Sequence, residues 1–125
     1  MGNYNFDFNF IKSGAPIVTI SSLGISFNSL SRSMLKYPKK INVGFDENAR
    51  AIGVKAHNES SSVVSYEFEG RERNGWIRIG CKDFVKYLYT ITNIDFISKA
   101  IQFIAEYDED EEMLIIIVDE EHIKR

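Results

Sequence analysis

One order of predicted structural elements occurs twice in this chain, and this repeat constrains the fold more than any other feature. Each half contains a glycine, a short strand-like run, a short helical pattern and a hairpin with an acidic turn. The closest match lies between Phe45-Asp46-Glu47-Asn48 and Tyr107-Asp108-Glu109-Asp110, each followed after three residues by Ile52 or Leu114. The predicted repeat units are residues 17–56 and 63–118, which share one core. An alternative stays open, because unrelated β-hairpins also share acidic turns.

The length and composition predict a single domain over residues 1–125. Of the 125 residues 44% are hydrophobic, with nine Phe, six Tyr and two Pro. Aromatic and β-branched residues are enriched in strands, so we expect an α+β domain that is mainly β.

Strands are predicted where apolar residues alternate with polar ones or form short β-branched runs. The runs are Tyr4 to Phe10, Ile17 to Ile20, Ile25 to Phe27, Ile41 to Phe45, Ala51 to Val54, Val63 to Phe68, Trp76 to Ile79, Ile101 to Tyr107 and Met113 to Val118. Residues 70–75 form a predicted polar turn. Helical spacing indicates two short helices, one over 30–35 that ends before Pro38 and one from Lys82 to about Thr92.

The segment Ile17 to Ala56 resembles the AbrB/MazE/SpoVT-type swapped-hairpin domain, whose strand, turn, short strand, helix and hairpin follow in this order. The resemblance rests on the segment Gly24-Ile25-Ser26-Phe27-Asn28, which retains the glycine and the alternation of the family but lacks the proline usual there. Two such units in one chain are similar to the MraZ arrangement. The resemblance implies a small barrel-like domain built from two swapped-hairpin-like units, with DNA binding as its activity.

A second resemblance concerns short uncharacterised proteins of low-GC Gram-positive bacteria and their phages. It rests on Phe27-Asn28 before the first helix and on Ile52-Gly53-Val54-Lys55 near the end of the hairpin. This second resemblance assigns no activity.

Charge is distributed unevenly along the chain. The net charge of −3 combines about +4 in residues 1–55 with about −7 in the remainder. Phosphate binding depends on local positive potential rather than on net charge, so a nucleic-acid-facing side is compatible with this total. The predicted nucleic-acid-binding residues are Arg32, Lys36, Lys39, Lys40, Arg71, Arg73 and Arg78, and Lys82 could add to them. A solvated helix face is the alternative interpretation of the same charges.

The sequence therefore predicts a non-enzymatic, DNA-binding or transcription-regulator-like protein. The alternative is a protein-interaction module of phage or mobile-element origin, which binds a host protein through the acidic hairpin around Asp108 to Glu112 or through the aromatic N-terminal strand. Tyr4, Phe6, Phe8 and Phe10 of that strand could also form a homodimer interface.

Catalytic and metal sites are not predicted. Cys81 starts the second helix, where the helix dipole would lower a thiol pKa, but His57 and His122 are distant in sequence. The acidic run lacks the spacing of a calcium loop, so neither a metal nor a cofactor is expected. Without a disulfide partner, a signal peptide or a membrane-spanning run, a cytoplasmic location is predicted.

Three aromatic residues remain open to two interpretations. Tyr66, Phe68 and Trp76 could form a stacking surface for single-stranded nucleic acid. At strand spacing such residues more often belong to the core, and burial is the preferred expectation.

Overall fold

The computed structural model describes residues 15–60, 62–70 and 72–124, and within these ranges the chain is mainly β. The strands are β1 (Ile17–Ser21), β2 (Gly24–Asn28), β3 (Lys40–Asp46), β4 (Ala51–Ala56), β5 (Tyr66–Glu67), β6 (Glu72–Arg73), β7 (Trp76–Ile79), β8 (Ile101–Ile104), β9 (Glu106–Asp108) and β10 (Met113–Ile117). The helices are α1 (Ser29–Met34) and α2 (Lys82–Thr92), and a 3-10 turn covers Glu120–His122. Neither α-helix in the described part of the chain has the length and apolar character needed to traverse a bilayer.

The strands form two five-stranded sheets in which every pairing is antiparallel. Sheet A has the order β6-β7-β2-β1-β8, and sheet B has the order β5-β3-β4-β10-β9. Each sheet takes strands from both halves of the chain. In sheet A the two halves meet where β2 pairs with β7 and where β1 pairs with β8. In sheet B they meet where β4 pairs with β10 and where β3 pairs with β5.

The turns of the β3–β4 and β9–β10 hairpins have the same local structure. Asp46 Oδ1 accepts hydrogen bonds from the amides of Asn48 and Ala49 at 3.0 and 3.1 Å. Asp108 Oδ1 accepts them from Asp110 and Glu111 at the same two distances. The residue after each turn is left-handed, with φ of 54° at Arg50 and 53° at Glu112. An aspartate that binds the backbone two and three residues ahead stabilises such a turn.

Apolar residues of both sheets meet in one core. Four phenylalanines are among the largest fully buried side chains, and they are Phe27, Phe68, Phe96 and Phe103. Phe27 of sheet A contacts Phe68 edge to face, with ring centroids 5.4 Å apart. Because alternate residues of a strand point to opposite faces, the other side chains of β2 and β7 lie on the outer face of sheet A.

Asn28 fixes the start of α1 against sheet A. Its Oδ1 accepts from the amide of Ser31 at 3.1 Å, as a helix N-cap does, and also from the amide of Ile17 at 3.1 Å. Its Nδ2 donates to the carbonyl of Ala15 at 2.9 Å. One side chain thus joins β1, β2 and α1.

The α+β, mainly β prediction is confirmed, but the barrel is not closed within the described residues. Sheet A ends at β6 and β8, and sheet B ends at β5 and β9. Three of these edge strands have only two or three residues, which is too short to hydrogen-bond one sheet to the other along a seam.

Two predicted strands have different bounds in the structure. The single strand expected over Ile101 to Tyr107 is divided at Ala105, because the chain passes there from sheet A to sheet B and the Ala105 amide donates to the Pro16 carbonyl. The strand expected over Val63 to Phe68 is reduced to β5, and the Val64 carbonyl before it accepts from the Asn42 side chain of β3.

Other sequence predictions agree more closely with the structure. Helix α2 has the expected bounds, and Asn93 ends it in a left-handed conformation with φ of 60°. Helix α1 ends at Met34, four residues before Pro38. The turn expected over residues 70–75 narrows to Asn74-Gly75 between β6 and β7. The aromatic strand from Tyr4 to Phe10 lies outside the described residues.

We predict that Gly24→Ala destabilises the fold by about 3 kcal/mol, measured by urea unfolding. A Cβ at position 24 would lie 2.0 Å from the Ile79 carbonyl oxygen, and the backbone φ there is 141°. The added methyl would therefore force β2 and β7 apart. Gly44→Ala is the matched control, because its Cβ would meet no atom within 4 Å and its cost is expected to stay within about 1 kcal/mol. Equal stability of the two variants would contradict the prediction.

Candidate functional site

The structure separates the predicted cations into two groups. Arg32, on α1, is largely buried and forms an ion pair of 2.5 Å with Glu72 of β6. Its guanidinium also lies over the ring of Tyr37, at 5.3 Å from the centroid. Arg32 therefore already has a carboxylate and an aromatic partner within the fold.

The lysines after α1 lie in more exposed positions. Lys36 Nζ is 3.6 Å from Glu112, and Lys40 Nζ is 3.9 Å from Glu67. Exposed pairs of this kind contribute little to stability, so both amines remain accessible. Lys39 is exposed, and Arg71 lies outside the described residues.

Arg73 and Arg78 belong to a different surface, the outer face of sheet A. Arg73 lies opposite Trp76 in the β6–β7 hairpin, and Arg78 lies opposite Ser26 in the β2–β7 pairing. Ile77 and Ile79, which alternate with these residues along β7, are buried in the core. The two arginines and Trp76 therefore point to the same side of the sheet.

These side chains line an open groove of about 840 Å³, here called the Trp76 groove. Its lining residues are Leu23, Ser26, Gly70, Glu72, Arg73, Trp76, Arg78, Gly80 and Lys82. Lys82 is the first residue of α2 and adds a third cation. Trp76 is half-buried, so part of its indole faces the groove.

The tight turn between β6 and β7 positions the tryptophan. Asn74 and Gly75 have φ of 53° and 84°, as the two central residues of a type I′ turn require. The Gly75 carbonyl accepts a hydrogen bond of 3.1 Å from Ser29 Oγ at the start of α1. This hydrogen bond joins the turn to α1, the helix that also contains Arg32.

A row of polar side chains continues from the groove across sheet A. Arg78 is opposite Ser26, Ser26 is opposite Thr19, and Thr19 is opposite Gln102. Gln102 Nε2 donates to Thr19 Oγ1 at 3.3 Å. The outer face of four neighbouring strands thus presents donors in a line that begins at an arginine.

The three aromatic residues with two open interpretations differ in burial. Phe68 is buried in the core, as expected. Tyr66 is half-buried and borders a separate depression of about 540 Å³ beside Cys81 and Phe84. Only Trp76 of the three faces the cationic groove. The alternation of residues along β7 indicates this placement, since Trp76 lies on the same face of the strand as Arg78 and on the opposite face from Ile77.

The lowered pKa expected for Cys81 is wrong. Burial raises the pKa of the Cys81 thiol to about 11, because desolvation of the thiolate outweighs the lowering effect of a hydrogen bond with the Ile25 backbone. The two histidines have other partners: His57 Nδ1 is 3.0 Å from Asn42 Nδ2, and His122 Nδ1 is 2.6 Å from Asp119.

The acidic hairpin turn is a structural turn with exposed carboxylates. Asp108 holds the turn through its two backbone hydrogen bonds, and Glu112 pairs with Lys36. Among the described residues, no group of three or more His, Cys, Asp or Glu side chains is arranged to hold a metal ion.

We predict that Cys81 reacts slowly with a thiol reagent at pH 7.5 in the native protein. A pKa of about 11 in place of 9.0 lowers the thiolate fraction roughly a hundredfold, and burial restricts access further. Absorbance of a released aromatic thiolate measures the rate, with the urea-unfolded chain as reference. Native and unfolded rates within threefold of each other would contradict the prediction.

The same shift predicts a pH-dependent stability. The folded pKa is raised, so the contribution of Cys81 is fully present below pH 9.0 and is lost as the pH rises toward about 11. The free energy of unfolding should fall more steeply over this window in the native sequence than in Cys81→Ala. The pKa of Tyr66 is raised first by burial and second by the charge of Cys81, so Cys81→Ala also removes this second contribution and the difference reports the two groups together.

Comparison with known proteins gives no relative for this chain: no family model, no curated protein and no solved structure matches it significantly. The resemblance of residues 17–56 to the swapped-hairpin domain therefore stays a prediction from the sequence. Inference about function rests on the geometry of the chain itself.

Proposed function

We propose that this chain is a non-enzymatic nucleic-acid-binding protein, of the DNA-binding regulatory type expected from the sequence, and that the Trp76 groove is its binding surface. The observation that carries the proposal is the convergence of Arg73, Arg78 and Lys82 around a half-buried tryptophan in one open groove. Cations next to an aromatic platform are the elements with which proteins hold a nucleic-acid backbone and its bases.

The charges of the groove are available to a ligand. Among the described residues, Arg73, Arg78 and Lys82 form no ion pair within 4.0 Å, whereas Arg32, Lys36 and Lys40 each do. Of the described residues that line the groove only Glu72 is acidic, and Arg32 binds its carboxylate. The local potential of the groove is therefore positive despite the net charge of −3.

The position of the acidic residues also favours the Trp76 groove as the surface that binds nucleic acid. The turn from Asp108 to Glu112 belongs to the β9–β10 hairpin of sheet B, whereas the groove lies on the outer face of sheet A. None of the carboxylates from Asp108 to Glu112 lines the groove, and Glu112 pairs instead with Lys36.

The finer fold prediction also belongs to this proposal. We infer that the β1-β2-α1-β3-β4 and β6-β7-α2-β9-β10 segments are related units of swapped-hairpin type. Support comes from the matching turns at Asp46 and Asp108 and from the central antiparallel pairing of corresponding strands in each sheet. Gly24 and Gly75 do not correspond in this alignment, since Gly24 begins β2 while Gly75 precedes β7 in the turn.

A pair of double variants tests the proposed surface with equal changes in charge. Arg73→Gln/Arg78→Gln removes two groove cations, and Lys36→Asn/Lys39→Gln removes two cations of the exposed loop after α1. Asn suits position 36, where φ is 65°. In a mobility-shift titration with random duplex DNA at low salt, we expect the groove variant to lose roughly tenfold in affinity and the loop variant less than threefold.

The salt dependence of binding provides a second measurement. Removing two phosphate contacts should reduce the slope of log K against log salt by about 2 in the groove variant, but leave it nearly unchanged in the loop variant. The reverse ranking would overturn the groove and favour the surface around α1. No shift of any protein at micromolar concentration would overturn the binding of duplex DNA by this chain.

A further inference from the structure

We infer that the Trp76 groove binds nucleic acid in single-stranded form, an inference that rests on the proposed function. Two parallel rows of side chains on the outer face of sheet A carry it. One row is polar and begins at Arg78, while the other is largely apolar and begins at Trp76. The two rows run across the strands next to each other.

The polar row matches a chain of phosphates and sugars. It contains Arg78, Ser26, Thr19 and Gln102, one from each of four adjacent strands. At a strand spacing of about 4.8 Å, the row spans roughly 14 Å. Hydroxyl, amide and guanidinium groups donate to phosphate oxygens.

The apolar row lies one pleat away along the same strands. Trp76 is opposite Asn28, and Ile17 is opposite Ile104. Asn28 joins the two pairs, since its Oδ1 accepts from the Ile17 amide, and its polar atoms are already bound within the fold. Ile104 is 48% exposed although it is a large aliphatic residue. Apolar side chains are therefore presented where a ligand with flat, weakly polar faces would lie.

A single strand matches this division between rows better than a duplex does. In a duplex the bases stack on each other, so an indole on a sheet face has no base face to contact. In a single strand the bases turn away from the backbone and stack on aromatic side chains. With phosphates along the polar row, bases would fall on Trp76, Ile17 and Ile104.

Trp76 itself provides the direct test, because it is the only tryptophan in the chain. Indole fluorescence is followed while a 16-residue oligothymidine, an oligouridine of equal length or a 16-base-pair duplex is added at 50 mM salt. We expect quenching and at least about tenfold tighter binding by a single strand than by the duplex. The tighter of the two single strands identifies the preferred sugar.

The outcomes separate this inference from the proposed function. If none of the three ligands binds, nucleic-acid binding fails as a whole. If the duplex binds as tightly as both single strands and the indole is not quenched, the single-strand inference fails while cationic binding stands. Because this experiment uses the unaltered chain, it does not depend on the folding of any variant.

Variants at Trp76 distinguish stacking from simple packing. Trp76→Phe keeps an aromatic ring and is expected to bind within about threefold of the native sequence, whereas Trp76→Leu keeps only apolar bulk and should lose roughly tenfold. Thermal unfolding verifies that both are folded. Equal affinity of the Leu and Phe variants would overturn the stacking role.

A matched pair of charge variants tests the polar row. Thr19→Asp places a carboxylate in the middle of the row and should weaken single-strand binding about tenfold. Thr90→Asp makes the same change on the exposed side of α2 and should leave binding unchanged. Equal effects of the two variants would show that the row does not contact the ligand.

Discussion

Ile25 and Phe27 of β2 lie opposite Ile79 and Ile77 of β7, and this antiparallel pairing joins the two halves of the chain within sheet A. It buries four apolar side chains on one face and aligns Ser26, Arg78 and Trp76 on the other. The approach is so close at Gly24 that only a residue without a Cβ fits beside the Ile79 carbonyl. The β2–β7 pairing therefore supplies core residues on one face of sheet A and residues of the candidate site on the other face.

The positive potential of the groove depends on which cations form ion pairs within the fold and which do not. Arg32 is bound by Glu72 and Tyr37, and it helps to hold β6 against α1. Glu72 is the acidic residue among the described residues that line the groove, and Arg32 pairs with its carboxylate, so Arg73, Arg78 and Lys82 are the unpaired charges of this lining.

Much of the fold could be predicted from local patterns. Helix α2 and the β3–β4 hairpin follow from apolar spacing and from a polar turn, which are local properties. The division at Ala105 could not be predicted, because Ile101 to Tyr107 reads as one apolar run and only the positions of two separate sheets require the break. The closure of a barrel likewise depends on the lengths of edge strands, which composition does not specify.

The candidate site could be predicted only in part, because it also depends on contacts between residues that are distant in sequence. Arg73 and Arg78 were among the expected residues, but proximity in sequence also grouped Arg32 with Lys36, Lys39 and Lys40. Ion pairs formed across the fold, such as that of Arg32 with Glu72, are invisible in a linear sequence. The orientation of Trp76 follows from the alternation of residues along β7, although burial is the preferred expectation for an aromatic residue there.

The exchange of strands between the two halves has a consequence for how the chain acquires its structure. Sheet A needs β8 beside β1, and sheet B needs β10 beside β4, so neither sheet can be completed from the first half alone. During synthesis the strands of the amino-terminal half therefore keep unpaired edges until residues 101–117 have left the ribosome. Pairings between such distant segments slow folding, since a long loop must close before any contact offsets its entropy.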